Sequence, residues 1–274
     1  MSAAGERADQ RSIFVRVIEA QGRRLMGAMT HVGAIAQMTL RALRSLLSTR
    51  FELRSFLYQL EQMGVKSFGI AAATAIFVGI VMAIQFAFSL ERFGARDSVG
   101  RIVGLSEARE LAPSLTSLVV GCRIGAGIAA ELGSMAVTEQ IDAIRALGAD
   151  PIKKLVVPRV LAGIVMMPML ATFAFVLGTA SAALVCNLSF GIPMPFFIST
   201  ALDAVWVSDF LSGIGKTPFF GFLIAALGCH FGMTTRGGTE GVGRSTTTSV
   251  VVVAISILIA DSILTQLFLA FLRG

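Results

Sequence analysis

Two long stretches without a charged residue set the strongest limit on how this chain can fold. Residues 67–90 form an uncharged run of 24 residues, and residues 160–187 form a second of 28. The hydrocarbon core of a bilayer takes about 20 apolar helical residues, so either run can cross it. A buried helix of a soluble protein is normally shorter and keeps one polar face. The two runs therefore predict membrane-spanning helices.

Three further stretches are apolar but are shorter or contain a charged residue. Residues 111–130 and 246–272 contain one charge each, Arg123 and Asp261, while residues 217–235 contain none. Only 15% of all residues are charged, whereas a soluble domain carries about a quarter. We therefore expect an all-α polytopic membrane protein with about five transmembrane helices, at about residues 67–90, 107–132, 156–187, 211–235 and 246–272.

Residues 1–66 differ from the remainder of the chain. They hold ten of the 23 Lys and Arg residues, and residues 12–60 place apolar side chains at helical spacing between arginines. Such a pattern is typical of an amphipathic helix in the headgroup layer of a membrane. We therefore divide the chain into an interfacial segment, 1–66, and a membrane domain, 67–274.

The distribution of basic residues predicts the orientation. With five spans, segments 1–66, 131–159 and 236–245 share one side and hold 16 Lys and Arg, against six on the other. Lys216 is counted among those six, as a residue near the outer end of its predicted span. Positive residues stay inside, so we expect a cytoplasmic N-terminus. The net charge of +6 then reflects topology, and no basic face for nucleic acid is visible.

A few charged residues interrupt the predicted spans and need an explanation. A charge at membrane depth usually faces a partner or a cavity. Arg123 and Glu131 lie two helical turns apart, so they cannot touch each other, and we expect each to pair elsewhere for structure. Glu110 and Asp261 belong to different spans. Either a cavity lining or a structural pair explains them.

One charged block, residues 135–159, separates two of the apolar stretches. Thr138 is a favourable N-cap, and Gly148 with Pro151 offers a helix stop. The predicted helix, about 138–147, has an apolar stripe and is too short to be stable alone in water. It either rests on lipid headgroups or is presented to a cytoplasmic partner.

Some features predict packing instead of chemistry. Small residues recur at four-residue spacing, which indicates a tight helix pair or a dimer seam: Gly121, Gly125, Ala129 and Gly133.

The sequence offers no motif for a nucleotide or a metal. Gly215-Lys216-Thr217 lacks the glycine and the strand of a phosphate loop. The three cysteines have no metal-ligand or disulfide spacing. We expect no nucleotide or metal site in this chain.

Residues 105–163 carry a resemblance to a known family. Their distinctive words are RELAP from Arg109, AELGSM from Ala130, TEQIDA from Thr138, Asp150-Pro151 and Pro158-Arg159. This run resembles the MlaE/YrbE family of lipid-transporter permeases, the membrane subunits of Mce-type ABC transporters. The resemblance extends from about Gly64 and continues more weakly to the C-terminus.

The resemblance implies partners. It implies a homodimer in the inner membrane, a separate cytoplasmic ATPase that uses the ATP, an Mce-domain (MlaD-like) substrate-binding protein and a small STAS-domain protein. The system would move phospholipid between inner and outer membranes and so maintain lipid asymmetry. The chain itself would be neither an enzyme nor a cofactor-binding protein.

The resemblance also implies site residues. The charged block would be the coupling helix that docks on the ATPase, with Thr138, Glu139, Gln140, Ile141, Asp142, Ile144 and Arg145. The lipid cavity, at the dimer interface, would be lined by Met82, Leu90, Phe93, Arg109, Glu110, Lys216 and Asp261. Two other functions stay open: a proton-coupled secondary transporter that uses Glu110 and Asp261, and a non-transporting assembly scaffold.

Overall fold

In a computed structural model, residues 29–30, 33–42, 44 and 52–273 are described. Five helices are long and apolar enough to cross a membrane, as predicted for an all-α polytopic membrane protein. Two short helices lie between them. From Leu53 onwards the helices, in chain order, are α1 (Leu53–Glu91), α2 (Arg96–Val137), α3 (Gln140–Ala146), α4 (Ile152–Phe190), α5 (Met194–Ala204), α6 (Val207–Met233) and α7 (Gly238–Arg273).

Short connections make the five long helices alternate in direction. We call the side where α1 begins and α2 ends the α3 face, because α3 lies there with the start of α4. The other side, which holds α5 and the start of α6, is the opposite face. The α3 face corresponds to the side predicted to be cytoplasmic. That orientation stays a prediction.

The long helices extend beyond the predicted spans. Helix α1 begins at Leu53, although the uncharged run begins at residue 67. Hydropathy marks only the uncharged part, whereas the backbone stays helical through the charged turns beyond it. The interfacial segment, 1–66, falls largely outside the described residues. Within it, residues 33–42 are helical, and Met38 and Ala42 are buried.

Glycine allows the central helices to approach closely. A Cβ on Gly163 of α4 would lie 2.5 Å from the carbonyl oxygen of Gly221 in α6, so neither position has room for a side chain. Around this contact pack large buried side chains, among them Met167, Leu170 and Phe220. Close backbone approach is how membrane helices gain packing without a hydrophobic driving force between them.

The predicted small-residue stripe faces other helices of the same chain. A Cβ on Gly121 would meet Ile224 of α6 and Ile257 of α7, and one on Gly125 would meet Val253 of α7. The α-carbon of Ala129 lies against Gly232. The stripe thus forms the seam between α2, α6 and α7.

Candidate functional site

The principal polar site is a four-residue cluster inside the bundle, which we call the Lys216 cluster. The Lys216 ammonium lies 2.9 Å from Glu110 Oε2, 3.0 Å from Asp261 Oδ1 and 2.9 Å from Thr265 Oγ1. The Thr265 hydroxyl donates in turn to Glu110 Oε1, at 3.1 Å. All three donors of the ammonium therefore have oxygen acceptors from α2 and α7.

Lys216 lies within α6 and within the predicted span 211–235, although the count of basic residues had assigned it to the outer side. Lys216 is only 2% exposed. Glu110 is the most exposed of the three charged residues of the cluster, with 43% of its side chain exposed. A lysine is tolerated in this position because two carboxylates and a hydroxyl replace its water. A hydropathy average over a sequence window includes the lysine charge but not the carboxylates that neutralise it.

The backbone of α2 changes where it supplies Glu110. Residues Glu107–Leu115 form π-helical turns that include Pro113. A π-helical insertion rotates the side chains that follow it relative to an unbroken α-helix, and such insertions are frequent at functional sites. Proline also lacks the N–H that the α-helical ladder would use. The sequence motif RELAP thus encodes a local departure in geometry that positions Arg109 and Glu110.

Arg109 makes a separate ion pair on the same segment. Its Nη2 and Nε lie 2.6 Å and 3.0 Å from Asp209 Oδ1, and the Asp209 side chain is buried. The other carboxylate oxygen accepts from the Trp206 backbone N–H at the start of α6. Arg109 thus fixes the α2–α6 contact beside the Lys216 cluster. Asp209 is not among the predicted site residues, because it precedes the predicted span 211–235.

The apolar residues implied for lipid binding lie on or near the end of α1. Met82 is half-buried, and Leu90 packs against a cluster of buried residues near α5 that includes Val99 and Phe197. Phe93 follows α1 on the opposite face and is 83% exposed. Among the described residues, the structure therefore joins Glu110, Lys216 and Asp261 directly. It leaves Phe93 open on the surface.

Arg123 and Glu131 bond to side chains of different helices. Arg123 Nη1 donates to Ser67 Oγ in α1, at 2.6 Å. Glu131 accepts from Arg159 Nη2 in α4, at 2.8 Å. Arg123 and Glu131 thus have separate partners, and each joins α2 to a neighbouring helix.

Helix α3 begins later than predicted. Thr138 is not its N-cap, because the threonine hydroxyl bonds back to the Ser134 carbonyl at the end of α2. Glu139 takes the N-cap position in a left-handed conformation, with φ of 59°. This conformation is uncommon for a residue with a Cβ and marks a sharp reversal between α2 and α3. Thr138 does not take the N-cap position of α3, because α2 continues to Val137 and Thr138 ends that helix.

The predicted end of α3 at Gly148 is confirmed. Gly148 has φ of 75°, its N–H bonds to the Arg145 carbonyl, and the Ala149 N–H bonds to the Ile144 carbonyl. These two bonds form the Schellman motif, which needs a residue free to adopt positive φ. Of the predicted apolar stripe, Ile141 is buried, whereas Leu147 is 85% exposed.

The outer surface of α3 is charged. Asp142 and Arg145 pair at 2.7 Å, and both side chains are exposed. Gln140 bonds to Thr138 at the beginning of the helix. A helix anchored by Ile141 therefore presents charged groups and one exposed leucine away from the bundle.

Comparisons with known proteins agree with this architecture. The family model described as Permease MlaE matches residues 56–267. The chain is 41% identical over 223 residues to protein TRIGALACTOSYLDIACYLGLYCEROL 1, chloroplastic, of Arabidopsis thaliana. That match covers 81% of this chain and 64% of the relative, so this chain spans less than two thirds of the Arabidopsis protein.

Two bacterial relatives are matched over most of their length. A probable ABC transporter permease protein of Synechocystis is 40% identical, with 81% of this chain and 84% of the relative covered. A probable ABC transporter permease protein of Rickettsia felis is 35% identical, with 93% and 99% covered. The family model spans the Lys216 cluster and α3, so the resemblance seen in residues 105–163 is confirmed. The chain belongs to the MlaE permease family.

Proposed function

We propose that this chain is the membrane subunit of an ABC transporter that moves phospholipid between the inner and outer membranes. A separate cytoplasmic ATPase drives it, and the permease works as a homodimer in the inner membrane with its N-terminus in the cytoplasm. An Mce-domain protein delivers or receives the lipid, and a STAS-domain protein accompanies the ATPase. The names of the bacterial relatives as ABC permeases support the ATPase partner.

The observation that carries the proposal is the placement of α3. It is the only described short helix between two spanning helices on the α3 face, and it displays an acid–base pair outwards. A force applied to α3 by a partner reaches α2 through the Glu139 reversal and α4 through the turn at Gly148. Helix α2 carries Glu110, so movement at α3 is transmitted to the Lys216 cluster.

A lipid fits the other end of the molecule. The name of the Arabidopsis relative is that of a glycerolipid, which has acyl tails and a polar head. Exposed Phe93 and half-buried Met82 offer apolar surface to tails. The exposed carboxylate of Glu110 repels a phosphate, whereas the Lys216 and Arg109 cations beside it attract one. Movement of these charges relative to one another would change the affinity for the headgroup.

The two alternative functions have less support. A proton-coupled transporter would use Glu110 and Asp261 as a relay, but both carboxylates are bonded to one lysine. A scaffold would not need buried charge inside its spans. Membership of a permease family favours the ABC transporter over both.

The proposal is tested by affinity purification of the full chain from native membranes in a mild detergent, followed by protein and lipid mass spectrometry. We expect an ABC ATPase and an Mce-domain protein to purify with the chain, together with phospholipid. The control is an unrelated five-span protein purified in the same way. A chain that purifies alone and without lipid, in a detergent that preserves other membrane complexes, would contradict the proposal.

A further inference from the structure

A cavity with a mainly apolar wall and three basic residues lies at the α3 face, far along the bundle from the Lys216 cluster. It has a volume of about 330 Å³ and lies between the first turns of α1 and the start of α4. Three basic residues line it: Arg54 from α1, and Lys154 and Arg159 from α4. Ser55, Tyr58 and Gln59 add neutral groups that can donate hydrogen bonds.

Arg159, which lines this cavity, has a buried donor without a partner in the described part of the chain. The residue is only 3% exposed, and its two terminal nitrogens are occupied by the Leu155 carbonyl and the Glu131 carboxylate. Its Nε–H has no acceptor among the described residues. Leaving a buried charged donor without an acceptor is unfavourable. A ligand that supplies an acceptor for this N–H would therefore gain binding free energy.

The charge around the cavity is positive. Arg54 and Lys154 are exposed and have no ion-pair partner among the described residues, so both can turn towards a ligand. Two acids lie nearby: Glu131 is paired with Arg159, and Glu52 accepts from Ser55 at the exposed rim. The ion pair cancels Arg159 against Glu131, so in the part of the chain that the structure describes two unpaired cations, Arg54 and Lys154, remain against Glu52.

Apolar surface continues from the cavity along the outside of the bundle. Leu155 and Pro158 form part of the cavity wall. Beyond them, exposed Val65 and the pair Phe68–Phe173, with ring centroids 5.7 Å apart, lie on the outer surfaces of α1 and α4. A molecule whose anionic head fills the cavity could therefore lay acyl chains along these two helices.

From these observations we infer that the cavity between α1 and α4 binds the phosphate headgroup of a membrane phospholipid on the α3 face. Arg54, Lys154 and the free Nε–H of Arg159 bind the phosphate oxygens, and Tyr58 and Gln59 complete the shell. The inference goes beyond the proposed transport function, because it concerns binding on the side where α3 lies, away from the Lys216 cluster. It can fail while the transporter assignment stands, since binding is measured without ATP.

The test uses native mass spectrometry of the full complex in detergent, titrated with dioleoyl phosphatidic acid or with dioleoylglycerol, which has the same tails but no phosphate. We expect the phosphatidic acid to bind at least about tenfold more tightly, since its phosphate accepts charge-assisted hydrogen bonds that dioleoylglycerol cannot accept. The double variant Arg54→Gln with Lys154→Gln should lose that preference. Both residues are exposed, so the variant should fold.

A matched control removes the same charge from the same face. Arg236 and Arg244 are exposed and lie outside the cavity, so Arg236→Gln with Arg244→Gln should keep the preference. Arg159→Lys keeps the charge facing Glu131 but removes the Nε–H, and it should weaken phosphatidic acid binding several-fold. Equal losses in both double variants, or equal wild-type affinity for the two lipids, would overturn the inference. Inorganic phosphate that binds as tightly as the lipid would overturn the assignment to a lipid headgroup.

Discussion

Replacing Lys216 by methionine is expected to lower the free energy of unfolding by about 3 kcal/mol and to abolish lipid transport. The substitution leaves Glu110 and Asp261 facing each other without the ammonium that joins them. Breaking a buried ion pair by removing one partner costs about 3–5 kcal/mol, and the lower end applies because Glu110 is partly exposed. Chemical unfolding in detergent measures the first effect.

A triple variant separates charge from shape. Lys216→Met combined with Glu110→Gln and Asp261→Asn removes all three charges, and we expect it to recover most of the stability but no transport. Lys66→Met is the matched control, because Lys66 is exposed and bonds only to Gln62 among the described residues. A Lys216→Met variant as stable and active as the wild type would show that the cluster contributes to neither property.

Reversing two charges at α3 is expected to uncouple the ATPase. In the variant Glu139→Lys with Asp142→Lys, lipid-stimulated ATP turnover of the assembled complex should fall about tenfold or more, since losing a charge pair at an interface costs about 2–5 kcal/mol. Asp142 is exposed and Glu139 begins the helix, so neither substitution removes core packing. A steady-state ATPase assay in lipid nanodiscs measures the effect.

The matched control makes the same change on the opposite face. Glu91 and Asp97 are exposed acids beside the connection between α1 and α2, and Glu91→Lys with Asp97→Lys should leave ATP turnover unchanged. Glu139→Gly separates strain from charge, because glycine adopts the observed φ without a penalty but lacks the carboxylate. Unchanged stimulated turnover in the α3 variant would show that the ATPase docks elsewhere.

Much of the architecture could be predicted because it depends on local properties of the sequence. An uncharged run of 24 residues needs no tertiary information to be identified as a span, and the helix stop at Gly148 follows from its freedom to adopt positive φ. Thr138 shows the limit of this reasoning. A threonine can cap a following helix or bond back into the preceding one, and only the length of α2 decides between them.

The candidate site depends on contacts that a single sequence does not display. The charge of Lys216 alone does not identify its partners, because residues 106 positions before it and 45 after it supply its acceptors. Thr265 and Asp209 had no sequence signal of their own. Glu110 and Asp261 are identified from the sequence as charges within predicted spans, and Lys216 through the family resemblance, but only the structure joins the three.

Lipid movement in proteoliposomes tests the central claim most directly. The purified complex would be reconstituted with a labelled phospholipid, and transfer to an acceptor would be followed with ATP, with a non-hydrolysable ATP analogue, or with an imposed proton gradient. The transporter proposed here predicts transfer that requires ATP hydrolysis and the partner ATPase. Transfer driven by the proton gradient through this chain alone would contradict it and would favour a proton-coupled secondary transporter.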